Sequence, residues 1–91
     1  MAGPIENDPA KLLLHPVGTE KAIRLLDQNK VVFVVDRRSD KAEIKKAFEK
    51  LFNVKIERIN TEILRGGEKK AYIKLLPDYS AVEVATNLGL L

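Results

Sequence analysis

The spacing of hydrophobic residues changes several times along the chain, and each spacing predicts a different element. Residues 31–35 form a continuous run of valine and phenylalanine between charged neighbours, which is typical of a central strand covered on both faces. After residue 43 the hydrophobic positions recur at intervals of three and four, which predicts one face of an amphipathic helix. These positions are Ile44, Ala47, Phe48, Leu51 and Phe52.

The residues around this helix predict where it begins and ends. Asp40 is placed to accept a hydrogen bond in the first turn, and Glu43 follows at the spacing of a capping box. Asn53 tolerates the left-handed backbone conformation in which many helices end. We therefore expect the helix to lie between Asp40 and Asn53.

A β-hairpin is predicted after the helix. The hydrophobic positions of its first strand are Val54, Ile56, Ile59 and Ile63. Their alternation slips by one position around Glu57 and Arg58, so we expect a bulge there. Gly66 and Gly67 are expected to take positive φ angles in the turn, and residues 71–76 return as the partner strand. Two strands joined by a helix should be parallel, and the return strand can pair between them, so this stretch predicts a split βαβ unit.

Shorter elements are predicted on either side of this unit. Residues 12–14 indicate a short strand of undetermined direction, ended by His15 and Pro16. Thr19 is expected to cap a helix over residues 20–28. Because no segment repeats and none is low in complexity, we expect one domain over residues 11–91, without a linker.

Both ends of the chain carry local signals. Residues 1–10 contain glycine and proline with few hydrophobic residues, so they are interpreted as a flexible tail. Ser80 and Glu83 form a second capping-box sequence at the start of a helix over residues 81–88. Gly89 is expected to end that helix, and residues 90–91 are expected to fold back on its last turn.

Composition excludes several classes of function. The 91 residues include no cysteine and one histidine, so disulfides, thiolate metal sites and histidine clusters are not expected, and neither a metal nor a cofactor is predicted. The chain has no hydrophobic run of the length that a membrane span needs and no signal-peptide pattern. We therefore expect a soluble protein inside the cell, without membrane insertion.

The distribution of charge is more informative than the net charge of +3. All 16 lysines and arginines lie within residues 11–74, where they face nine acids, a surplus of seven. A concentrated positive field on a small domain favours a polyanionic partner such as nucleic acid. Lysines on the exposed side of the central helix serve solubility equally well.

Two loops hold the strongest candidates for phosphate contacts. Arg37 and Arg38 follow the central strand, where they either pair with neighbouring aspartates or contact phosphate. On the protruding hairpin, one acid, Glu68, accompanies four cations, Arg65, Lys69, Lys70 and Lys74. The backbone N–H groups of Gly66 and Gly67 would add donors for phosphate oxygens.

Four segments, in order, resemble one family. Residues 69–75 (KKAYIKL) are similar to the signature of the universal large-subunit ribosomal protein family L twenty-three. Residues 16–21 (PVGTEK), 52–56 (FNVKI) and 59–61 (INT) match the same family. The short hairpin turn and the lack of a long basic amino-terminal extension resemble the archaeal type.

The resemblance implies a small α/β (α+β) domain with a four-stranded, largely antiparallel sheet and packed helices. It implies a structural constituent of the cytoplasmic ribosome, bound to large-subunit rRNA and neighbouring ribosomal proteins near the exit of the peptide tunnel. It also implies docking of nascent-chain factors at Glu20, with signal recognition particle or a protein-conducting channel as the expected partner in the archaeal type.

Under this interpretation the protein binds and does not catalyse. Phosphate contacts are assigned to Lys21, Arg37, Arg38, Arg65, Gly66, Gly67, Lys69 and Lys70. Sugar or base contacts are assigned to Asn60 and Thr61. Tyr72 either stacks on a base or is buried under a helix.

Two alternatives belong to other classes. A small split-βαβ enzyme of the acylphosphatase type would use Arg65 or Asn60 on a phosphate loop, but no such loop precedes a helix and no general base is evident. A regulatory protein-interaction domain would present a hydrophobic sheet edge where this chain has a charged hairpin.

Overall fold

The computed structural model describes residues 9–91, so residues 1–8 of the predicted tail lie outside the described residues. The elements in chain order are α1 (Pro9–Leu12), β1 (Leu13–Pro16), α2 (Glu20–Leu25) with a 3₁₀ turn (Leu26–Gln28), β2 (Lys30–Val35), α3 (Lys41–Phe52), β3 (Ile56–Ile63), β4 (Lys69–Leu75) and α4 (Ala81–Asn87). The short helix α1 is an element that the sequence pattern did not predict.

The strands form one sheet in the order β1-β2-β4-β3, and every neighbouring pair is antiparallel. Since β4 lies antiparallel between β2 and β3, these two strands are parallel to each other, and α3 connects them. This arrangement confirms the predicted α+β fold with a split βαβ unit. It also confirms that β2 is a central strand.

The first strand differs from its prediction. It begins at Leu13 and continues through His15 and Pro16, which were expected to end it. The backbone N–H of Val17 donates to the Val32 carbonyl oxygen at 2.9 Å, so pairing with β2 extends past the proline. Proline is tolerated because β1 is an edge strand, where a missing N–H need not interrupt a ladder. Pairing with β2 gives β1 its antiparallel direction.

Helix α3 has both of the predicted ends. The Glu43 N–H donates to Asp40 Oδ1 at 2.8 Å, and the Asp40 N–H donates to Glu43 Oε1 at 3.0 Å, which completes the capping box. Asn53 ends the helix in the left-handed conformation with φ 56°. The predicted hydrophobic face is wrong at Leu51, which is 49% exposed. At the last turn Phe52 contacts the core instead, with its ring 4.6 Å from that of Phe48.

The main core lies between α3 and one face of the sheet. Phe48 is fully buried, and its ring meets the Phe33 ring edge-on at 5.6 Å. Ala71, Ile73 and Leu75 of β4 are also fully buried on this face. Helix α4 completes the core with its own buried positions, Ala81, Val84 and Ala85.

The opposite face of the sheet is only partly covered. Val32 and Val34 point away from α3, and both are buried. Helix α2 covers this part of β2, with Ala22 and Val32 lining one small cavity. On the same face, the neighbouring parts of β3 and β4 carry polar side chains that are exposed or half-buried. This part of the sheet is one of the two surfaces of the candidate site.

The bulge in β3 and the carboxy-terminal helix agree with most of their predicted features. The predicted bulge in β3 is confirmed between Ile56 and Arg58. At the start of α4 Ser80 Oγ accepts the Glu83 N–H at 3.2 Å, but no hydrogen bond of the described residues joins the Ser80 N–H to the Glu83 side chain, so only half of the predicted capping box is present. The Leu90 N–H donates to the Ala85 carbonyl oxygen at 2.9 Å and Leu90 packs on the core, whereas Leu91 is 60% exposed and does not fold back.

Candidate nucleic-acid interface

The connection between β2 and α3 lies beside the hairpin turn. Cross-strand pairing places Val35, the last residue of β2, opposite Lys69, the first residue of β4. The Lys69 ammonium donates to the Ser39 carbonyl oxygen at 2.6 Å and ties the two segments together. A Cβ atom built on Gly67 would lie 3.6 Å from Arg37 Nη1. The fold therefore brings together the two loops that the sequence identified separately.

We call this region the hairpin end, and its residues are Arg37, Arg65, Gly66, Gly67 and Lys69. Arg37 and Arg65 are exposed. Neither forms an ion pair within the described residues, where the ion pairs are Arg24 with Glu20 and Arg38 with Asp36. Both guanidinium groups are consequently available to an anionic partner.

The turn itself uses one of its glycines in the predicted way. Gly67 has φ 91°, whereas Gly66 does not have a positive φ, so the expectation for Gly66 is wrong. The Gly67 N–H donates to the Leu64 carbonyl oxygen at 2.9 Å. Because that bond closes the turn, the Gly67 N–H is not free for a phosphate oxygen, which corrects the donor role assigned to it.

Arg38 combines the two roles that the sequence left open. Its side chain is 90% exposed and lies 3.6 Å from Asp36 Oδ1. Its backbone N–H also donates to that oxygen at 2.8 Å. The backbone bond, supported by the guanidinium, lowers the pKa of Asp36 below its usual value. The weak, exposed pair leaves most of the Arg38 guanidinium in water.

A second basic surface lies on the face of the sheet opposite α3. Nine side chains from β2, β4 and β3 share this face in three cross-strand rows: Lys30, Lys74 and Arg58; Val32, Tyr72 and Asn60; Val34, Lys70 and Glu62. We call this surface the open sheet face. Both of its valines are buried, with Val32 beside α2, and its β3 members are exposed.

Tyr72 occupies the centre of the open sheet face. Its hydroxyl donates to Glu62 Oε1 at 2.9 Å. Burial, and then the bond and charge of Glu62, raise the pKa of Tyr72 above its usual value. The ring lines the small cavity beside α2 together with Lys21 and Lys70. The sequence left open whether the ring is buried under a helix or stacks on a base. The ring is half-buried beside α2 and also borders the polar surface.

Asn60 and Thr61 point to opposite faces of the sheet. Asn60 pairs with Tyr72 on the open sheet face, whereas Thr61 pairs with Ala71 on the core face. Thr61 is half-buried there. The structure therefore places Asn60, and not Thr61, with the basic residues.

Two cations of the open sheet face, Lys30 and Arg58, were absent from the predicted candidates, and Lys74 was predicted only as part of the hairpin, without an assigned contact. They lie far apart in sequence and become neighbours through strand pairing. The position of Arg58 could have been predicted from the sequence, because the expected bulge places it on the face opposite that of Ile59. For Lys30 the pairing register was needed.

Glu20 lies in the first turn of α2 and belongs to neither surface. Its carboxylate accepts from Arg24 Nη2 at 3.1 Å, and the two side chains are 84% and 75% exposed. Thr19 caps the helix by accepting the Ala22 N–H at 3.3 Å. Glu20 is thus held outward by a helix whose start is well defined.

A cleft of about 810 Å³ lies along α3 and contains no predicted site residue. Acidic and basic side chains alternate in it, including Glu43, Lys46, Glu49 and Lys50. It therefore lacks the surplus of positive charge that distinguishes the open sheet face, where four cations accompany one acid, Glu62. Across residues 9–91 no group of three or more potential metal ligands is present.

Fold and surface together define a small basic α+β domain with clustered cations and no catalytic constellation among its described residues. The sequence profile of the family described as Ribosomal protein L23 matches residues 11–76. A curated relative, the large ribosomal subunit protein uL23 of Methanothermobacter thermautotrophicus, is 47% identical over 83 residues, which cover 90% of this chain and 96% of the relative. The chain belongs to the ribosomal protein L23 family, in its archaeal type.

Family membership decides between the functional classes. The chain is a structural protein of the large ribosomal subunit with a role in translation, located on cytoplasmic ribosomes, and it is not an enzyme. The acylphosphatase and regulatory-domain alternatives are thereby excluded. In a separate observation, none of the helices in the described part of the chain has the length and hydrophobicity to cross a membrane.

Proposed function

We propose that this protein binds large-subunit rRNA through the hairpin end and the open sheet face. The observation that carries the proposal is the convergence of two loops at the hairpin end. There Arg37 from one loop and Arg65 from the other are exposed and have no ion-pair partner among residues 9–91. Unpaired guanidinium groups that project from a rigid scaffold suit the phosphates of a folded RNA.

Lys69 has a positioning role in this proposal. Its ammonium is committed to the Ser39 carbonyl oxygen, so the hairpin and the β2–α3 connection are held in one arrangement. Preorganisation of this kind reduces the conformational entropy that binding must remove. Lys69 therefore supports binding mainly through the placement of Arg37.

The physical mechanism is neutralisation of phosphates with release of counterions, so the affinity should fall steeply with salt. Specificity should come from the shape of the RNA, its 2′-hydroxyl groups and its unpaired bases. Neighbouring ribosomal proteins of the large subunit are the further partners.

The experiment measures binding of the full chain to a large-subunit rRNA fragment across a salt series. In the test variant Arg37→Ala is combined with Arg65→Ala. In the matched control Lys45→Ala is combined with Lys46→Ala, which removes the same charge from exposed positions on α3. We expect weaker binding and a salt slope reduced by about two for the test variant only. Equal losses in both variants would show that net charge, and not the hairpin end, determines binding.

We further propose a position near the exit of the peptide tunnel, with Glu20 exposed to signal recognition particle or a protein-conducting channel. Support comes from the family resemblance and from the outward position of Glu20 on α2. Ribosomes that carry Glu20→Ala should recruit the factor less well, while rRNA binding by the free protein is unchanged. Asp27→Ala, which removes another exposed acid nearby, is the control. A weakened rRNA affinity in Glu20→Ala would contradict the docking role.

A further inference from the structure

Three cations lie side by side across the open sheet face. Lys30 and Arg58 each pair with Lys74, from opposite sides. Like charges directly opposite on neighbouring strands destabilise a sheet. Neither the lysines nor Arg58 forms an ion pair in the part of the chain that the structure describes. Repulsion among the three cations therefore destabilises the free protein, and a bound anion in contact with them would remove that repulsion.

The next row differs in chemistry from the first. It places the Tyr72 ring beside the Asn60 side chain, one pairing step away from the three cations. The hydrogen bond from the Tyr72 hydroxyl to Glu62 restrains the tilt of the ring. The same bond occupies the Glu62 carboxylate, the acid opposite Lys70. An aromatic ring, an amide and a row of cations are therefore adjacent on one face of the sheet.

We propose that the open sheet face binds an unpaired stretch of RNA. Its phosphate lies against Lys30, Lys74 and Arg58, a base stacks on Tyr72, and Asn60 forms hydrogen bonds to the edge of that base. This inference rests on the proposed rRNA binding and names the kind of RNA that one of its two surfaces takes. The hairpin end contacts phosphates and places no such requirement on the bases.

The chemistry of the surface favours unpaired over duplex RNA. In a duplex the base faces are stacked on one another, so Tyr72 would have nothing to stack on. In a single strand every base offers a free face, and stacking on aromatic side chains is a main source of affinity. An acidic peptide could satisfy the cations but would leave Tyr72 and Asn60 without a specific role.

The chain allows a direct optical test of stacking. It contains two tyrosines and no tryptophan, so Tyr72 is the sole tyrosine fluorophore in a Tyr79→Phe variant. We expect saturable quenching on titration with a single-stranded oligoadenylate. A duplex of the same length should give little quenching at equal occupancy, measured with a labelled strand. Equal quenching by both RNAs would overturn the inference.

Substitution of the ring provides a second readout. Tyr72→Leu should weaken binding to the single strand by roughly tenfold, as expected for one lost stacking contact. Tyr72→Phe keeps the ring and should bind nearly as well as the parent. If both substitutions weaken binding equally, the hydroxyl and not stacking is responsible, and the inference is wrong.

The row of cations has its own signature. Lys74→Gln should raise the thermal stability of the free protein, because it removes the central like charge, and it should lower affinity for the single strand. Lys45→Gln on α3 is the matched control and should change neither quantity. Lower stability of Lys74→Gln with unchanged affinity would give Lys74 a purely structural role.

These outcomes separate the inference from the proposed function. If the parent protein binds the rRNA fragment and depends on Arg37 and Arg65, but not on Tyr72 or Lys74, rRNA binding stands and the inference fails. If the parent does not bind the fragment under any salt condition, both fail.

Discussion

The side-chain amide of Asn29 donates a hydrogen bond of 2.9 Å to the carbonyl oxygen of Tyr79, fifty residues further along the chain. The same nitrogen lies 3.2 Å from the Leu75 carbonyl oxygen, and Asn29 Oδ1 accepts the Ala81 N–H at 2.8 Å. One side chain therefore holds the start of α4 to the end of β4. Asn29 also turns the chain into β2 with φ 61°.

These two contributions of Asn29 can be separated by mutation. Asn29→Gly keeps the left-handed backbone and loses the side-chain hydrogen bonds, so the free energy of unfolding should fall by about 2 kcal/mol. Asn29→Ala should lose about 1 kcal/mol more, because alanine resists a positive φ. Urea denaturation followed by circular dichroism measures both. A glycine variant as stable as the parent would show that the bonds to α4 contribute little.

The hairpin turn makes a similar distinction between two adjacent glycines. Gly67→Ala should destabilise the protein by about 1–2 kcal/mol because φ is 91° at this position. Gly66→Ala should be neutral or slightly stabilising, since its φ is not positive and no atom lies within 4 Å of an added Cβ. Thermal unfolding of the two variants gives the comparison, and equal losses would mean that the turn differs from the one described.

Helix α3 allows a test of the hydrophobic face. Phe48→Ala should lower the free energy of unfolding by about 3–5 kcal/mol, because the ring is fully buried. Leu51→Ala should change it by no more than about 0.5 kcal/mol, because Leu51 is 49% exposed. Denaturant unfolding of both variants and the parent at one pH measures the two changes in the free energy of unfolding. A large loss for Leu51→Ala would restore the face predicted from the sequence.

Asp36 should contribute to the acid sensitivity of the fold. The pKa of this carboxyl lies below its ordinary value of 3.8. The main cause is the hydrogen bond from the Arg38 N–H, and the Arg38 guanidinium adds to the effect. A lowered pKa stabilises the folded state at pH values above 3.8, and this contribution is lost as the pH falls through the folded-state pKa. The stability difference between the parent and Asp36→Asn should therefore shrink on acidification. A difference independent of pH would contradict the hydrogen bond.

Tyr72 should show the opposite dependence at alkaline pH. Burial first, and Glu62 second, raise the pKa of the phenol above 10.0. The resulting stabilisation is complete below pH 10.0 and is lost as the pH rises through the folded-state pKa. In a Tyr79→Phe background, tyrosinate absorbance should titrate with a midpoint above 10.0. Glu62→Gln should lower that midpoint, and an unchanged midpoint would show that the carboxylate does not act on the phenol.

Much of the fold follows from signals that span only a few residues. The capping box of Asp40 and Glu43 and the left-handed Asn53 could be predicted because each depends on atoms within one or two turns of a helix. The burial of β2 could be predicted because a continuous hydrophobic run has no polar face to expose. The wrong predictions at Leu51 and Leu91 concern positions at the ends of elements, where neighbouring segments decide which side chain reaches the core.

For the candidate site, too, local features could be predicted from the sequence and long-range ones could not. The exposed cations Arg37 and Arg65 were recognised from the loops that carry them. Their proximity was not, because it depends on the register that places Val35 opposite Lys69. The row of Lys30, Lys74 and Arg58 was missed for the same reason.

By itself, the sequence determined most of the elements, both ends of α3, the split βαβ unit and, by resemblance, the family. Those properties come from local backbone preferences, hydrophobic periodicity and short motifs that can be read in order. Only the tertiary structure decided which polar side chains share a surface. Strand pairing is a long-range choice, and a shift of one residue in register would move Tyr72 and its neighbours to the other face of the sheet.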